Sequence, residues 1–145
     1  MPLLEPPRVR PRLGLVARLS VVLLLFWNPL SLALITAAAW TRLARYGAPA
    51  WGVFVVRVAV VIVGMLAARL LLDRDPAGRR LAAVAFAGCA LVAVLTAITP
   101  YFPSNAVPST KWPWLAAEVA LDLALSVAIL LRGPRPATPP VTPSP

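Results

Sequence analysis

The chain has 145 residues, 60% of them apolar, and a net charge of +9 contributed by thirteen arginines and one lysine against five acidic residues. Soluble domains of this size are about half apolar, so the composition points to a membrane protein. The absence of histidine excludes imidazole metal sites, bis-His haem and Ser-His or Cys-His catalysis, and a single cysteine excludes an intrachain disulfide or C-x-x-C exchange.

Residues 1–12 are basic and contain four prolines, which predicts a disordered N-terminal segment ahead of a transmembrane domain over 13–132. Apolar runs long enough to cross hydrocarbon, about 20 residues each, cover 15–41, 51–72, 81–99 and 113–131. Between them lie a link around Arg45–Pro49, a charged turn from Asp73 to Arg80, and a proline-spaced loop from Pro100 to Trp112. Gly and Pro in each link mark helix ends. The first run is read as a span and not a signal peptide, because its apolar stretch exceeds the roughly 7 to 15 residues of a signal core. Residues 133–145 carry six prolines and predict a disordered, extended tail. The expected fold is an all-α, four-helix antiparallel transmembrane bundle.

Charge placement predicts its orientation. Arg8, Arg10, Arg12, Arg18, Arg69, Arg74, Arg79, Arg80, Arg132 and Arg135 fall on the side of the N-terminus, against only Arg42, Arg45 and Lys111 on the other. Ten against three places both termini in the cytoplasm by the positive-inside rule. Trp40, Tyr46, Trp51, Tyr101, Trp112 and Trp114 then lie at the outer boundary, as an interfacial aromatic belt does. Arginines flanking spans are accounted for by this rule, so nucleic acid is not an expected partner. The expected surroundings are a lipid bilayer, as a multi-pass protein of a bacterial inner membrane.

Polar residues inside the spans are the candidate functional residues: Asn28 before Pro29 in the first, Arg57 in the second, and Glu118 and Asp122 in the fourth. A charge at the bilayer centre costs about 2.5 to 3.5 kcal/mol on insertion scales, so each needs a partner, water or a reach to the interface. At about 1.5 Å per residue, Arg57 lies about 9 Å below Trp51, and Glu118 and Asp122 about 7 and 13 Å below Pro113. The acids share a helix face at i and i+4, and a guanidinium at that depth is expected to bridge them; which acid it takes is open. One cation between two anions leaves one carboxyl expected to hold a proton near neutral pH. Pro29 cannot donate to the carbonyl of Leu25, which predicts a kink with Asn28 and Ser31 beside it. Cys89, inside an apolar run, is read as a packing residue.

The fourth span also carries Ala116, Ala120, Ala124 and Ala128 at four-residue spacing, about 200° around the helix from the face of Glu118, Asp122 and Ser126. Small residues in such a row admit close approach of another helix, which predicts a homo-oligomer or a membrane-protein partner there. No catalytic, cofactor-binding or metal-ligand pattern is present. Membrane aspartyl peptidases place their two aspartates on different helices within Asn-rich motifs, a pattern missing here. Small four-helix multidrug exporters are similar in size and layout but carry an essential glutamate in the first span, where this chain has no acid. The sequence reading is therefore a non-enzymatic accessory or assembly subunit acting through helix faces, with a small proton-coupled transporter or channel using Arg57, Glu118 and Asp122 as the alternative. A sealed ion pair favours the first, and a continuous polar path joining Asn28, Arg57, Glu118 and Asp122 to either surface favours the second.

Overall fold

The computed structural model describes residues 13–98 and 108–131. The predicted tails, the loop portion at 99–107 with Tyr101, and the basic residues Arg8, Arg10, Arg12, Arg132 and Arg135 lie outside the described residues. The description is all-helical, and four helices are long and apolar enough to cross a membrane: Leu15–Ala37, Ala48–Leu72, Pro76–Ile98 and Trp112–Leu131.

The first span is continuous but not uniform. Helix α1 (Leu15–Val22) passes into a π turn (Leu23–Trp27) and then into α2 (Asn28–Tyr46). Pro29 lacks the N–H that an α-helix requires at that position. The backbone responds by widening: the Asn28 N–H bonds to the Leu23 carbonyl five residues back. The expected disturbance at Asn28-Pro29 therefore takes the form of an inserted wide turn just before the proline.

The expected link around Arg45–Pro49 contracts to one residue. Helix α3 (Ala48–Leu72) starts immediately after Gly47, whose φ of 73° and ψ of −157° lie in a region open essentially to glycine alone. Pro49 in the first turn costs no hydrogen bond, because those N–H groups have no intrahelical partner. At its other end α3 closes in a Schellman arrangement, with Asp75 N–H to Leu70 O at 2.9 Å and Arg74 N–H to Leu71 O at 3.2 Å. Arg74 occupies the left-handed position at φ 62° that glycine usually fills.

Helix α4 (Pro76–Ile98) begins five residues before the predicted Leu81. Asp75 caps it, its Oδ1 accepting the Ala77 N–H at 2.8 Å. Gly78 admits the close approach of α4 to the end of α3, since a Cβ there would lie 2.7 Å from the Leu71 nitrogen. Helix α5 (Pro108–Leu131) likewise starts ahead of the predicted Pro113, which stands inside it.

The most extensive packing joins α3 to α4 and α4 to α5; the first span lies along α3, and α1 also reaches α5. Val21, Leu24, Ala67, Ala68, Leu71, Ala82, Ala83, Ala85, Phe86 and Ile129 form the core. Alanines dominate it, which lets the backbones come close where water exclusion supplies no driving force. Trp40 and Trp51 meet edge to face at 6.0 Å, and Trp51 and Phe54 at 5.7 Å, near the Gly47 connection.

Candidate functional site

Each span contributes polar groups to one place between the helices. On α5, Glu118 and Asp122 stand one turn apart, Glu118 exposed and Asp122 half-buried. On α3, the Arg57 guanidinium donates from Nη2 to Ser31 Oγ on α2 at 2.7 Å. At the start of α2, Asn28 Nδ2 donates to Cys89 Sγ on α4 at 3.1 Å. All six side chains border a single cavity of about 100 Å³. That volume accommodates several waters, each needing about 10 to 15 Å³.

Core residues form part of the cavity's lining. Leu24, 1% exposed, and Phe86, 2% exposed, belong both to its lining and to the packed core on the side of α1. Three lining residues, Trp27, Leu121 and Glu118, on the first and fourth spans, are exposed. These spans make their main mutual contact through α1, beyond the cavity, where α1 packs on α5.

The sequence-derived candidates Asn28, Arg57, Glu118 and Asp122 are thus neighbours on one cavity wall or another. The expected bridge from Arg57 to the acids does not form: among the described residues no Arg57–carboxylate contact falls within the 4.0 Å of an ion pair. The physical reason is the packing order. α5 packs on α4 and α1, while α3 lies diagonally across from it, so the guanidinium reaches the adjacent helix and Ser31 first. Two lining residues carried no such signal in the sequence. Cys89 looked like packing because its neighbours in the chain are apolar, and Ser31 was marked only as a neighbour of the proline. Matching depths across all four spans was the available signal.

The outward side of α5 is different in character. Ala116, Ala120 and Ala124 are exposed and Ala128 is half-buried, whereas Ser126 on the inward side donates to the Ala83 carbonyl at 3.0 Å and pins α5 to α4. Among the described residues none is a hydrogen-bond partner for the hydroxyl of the fully buried Ser20. Among the described residues no group of three His, Cys, Asp or Glu side chains is placed to hold a metal ion.

Comparison with protein-family models, with curated proteins and with solved structures gives no match.

Proposed function

We propose that the chain is a small, non-enzymatic, proton-coupled transporter or channel in which Arg57, Glu118 and Asp122 handle charge around the central cavity. One observation carries this reading: the three ionisable groups share a cavity wide enough for water, yet Arg57 is bonded to Ser31 and to neither acid. A purely structural cluster satisfies its charges by direct pairing, because an unpaired charge in hydrocarbon is costly. Charges spaced apart around a hydrated cavity retain their capacity to bind a proton or a solute. Proton flux into vesicles reconstituted with the full chain tests this. Flux should vanish with Asp122→Asn, which removes the titrating group and keeps its shape; flux indifferent to that change would sink the reading.

A second reading, an accessory or assembly subunit, is favoured by the exposed row Ala116, Ala120 and Ala124 on the outer side of α5. It assigns that row to a second copy or to a partner membrane protein. The antiparallel arrangement, cytoplasmic termini and bacterial inner-membrane location belong to the same proposal. Their support is the ten-against-three asymmetry of basic residues.

A further inference from the structure

The geometry points to a small zwitterion, one ammonium and one carboxylate a few bonds apart, as the solute that the central cavity binds. This rests on the reading of that cavity as a binding site and names its ligand class. Arg57 lies on α3, and Glu118 and Asp122 lie on α5, diagonally across the bundle. The cavity therefore has a cationic wall and an anionic wall that do not touch. Opposite charges held apart in this way are complementary to a ligand that carries both signs.

Each simpler occupant leaves one wall badly matched. A lone organic cation suits the two carboxylates but is repelled by Arg57. A lone anion suits Arg57, and two carboxylates oppose it. A zwitterion satisfies both at once, its carboxylate accepting from the guanidinium N–H groups that Ser31 leaves over, and its ammonium facing Glu118 and Asp122. A volume of about 100 Å³ limits it to a few heavy atoms. Trp27, 63% exposed, also lines the cavity and offers a ring face for the cationic end.

Glycine is the probe. Equilibrium binding of radiolabelled glycine to the full chain in mild detergent should be displaced by unlabelled glycine and resist equal concentrations of tetramethylammonium or acetate. Cys89 is the chain's single cysteine and borders the cavity, so the bound zwitterion should also slow its alkylation by monobromobimane. Arg57→Gln and Glu118→Gln should each weaken binding by about tenfold or more, the loss of one charge-assisted contact. Arg57→Lys keeps the charge and should retain binding, and it stands in if Arg57→Gln fails to fold by circular dichroism. Displacement by tetramethylammonium alone would overturn the zwitterion and leave a cation-binding cavity. If no probe binds the folded protein, both the zwitterion and the binding-site reading fall.

Discussion

Arg57 and Ser31 join α3 to α2 through a 2.7 Å hydrogen bond just beyond the proline of the first span. It supplies the guanidinium with an uncharged partner while the two carboxylates remain across the cavity.

The coupling energies should follow this geometry. Removing a hydrogen-bond partner of a charged group costs about 1.5 to 3 kcal/mol, and Ser31→Ala should destabilise the protein by that order. In double-mutant cycles, Arg57 with Ser31 should show a larger interaction energy than Arg57 with Asp122, because only the first pair is in contact. The measurement is equilibrium unfolding in mixed detergent micelles. A larger Arg57–Asp122 term would mean that the guanidinium swings to the acid in solution.

Arg74→Gly should stabilise the protein. The left-handed conformation costs a non-glycine residue about 1 to 2 kcal/mol, and Arg74 has it at φ 62° in the Schellman closure of α3. A gain of about 1 kcal/mol is expected by the same unfolding assay. An unchanged or lowered stability would show that the arginine side chain compensates through contacts of its own.

Topology is checked by reporter fusions. One at Gly78 and one after Arg135 should read cytoplasmic, and one at Asn105 external. An external reading after Arg135 would contradict an even number of spans with a cytoplasmic start.

The outer row of α5 separates the two functional readings. If Ala116, Ala120 and Ala124 meet another helix, Ala120→Leu should abolish recovery of an oligomer or partner in mild detergent, since the added bulk holds the backbones apart. Glu118→Gln and Asp122→Asn point to the cavity and should leave that recovery intact. Undiminished recovery in Ala120→Leu would assign the row to lipid.

Hydropathy made the four spans legible because a 20-residue apolar run has few other solutions. Helix ends were less so. Hydropathy averages over a window and does not register that Asp75-Pro76 caps a helix or that Gly47 alone can turn one, and both signals sat inside stretches whose polarity suggested loop. Depth along each span brought Arg57 level with Glu118 and Asp122. Which helices are adjacent and which are diagonal depends on the packing of small residues such as Ala67, Ala82 and Gly78, and a single hydropathy trace contains no such information. That is why the Ser31 contact replaced the expected acid bridge and why Cys89 joined the site unannounced.

The one-residue connection at Gly47 makes the first two spans intolerant of length change. An added residue has no slack loop to absorb it. Continued as helix, it would rotate α3 by about 100° about its own axis relative to α2, carrying Arg57 away from both Ser31 and the cavity. Insertions at this point should therefore be deleterious even when the added residue is small and apolar, whereas a substitution on the lipid-facing side of the same helices passes unnoticed. The phase between two neighbouring spans, and with it the address of Arg57, is held by a single glycine.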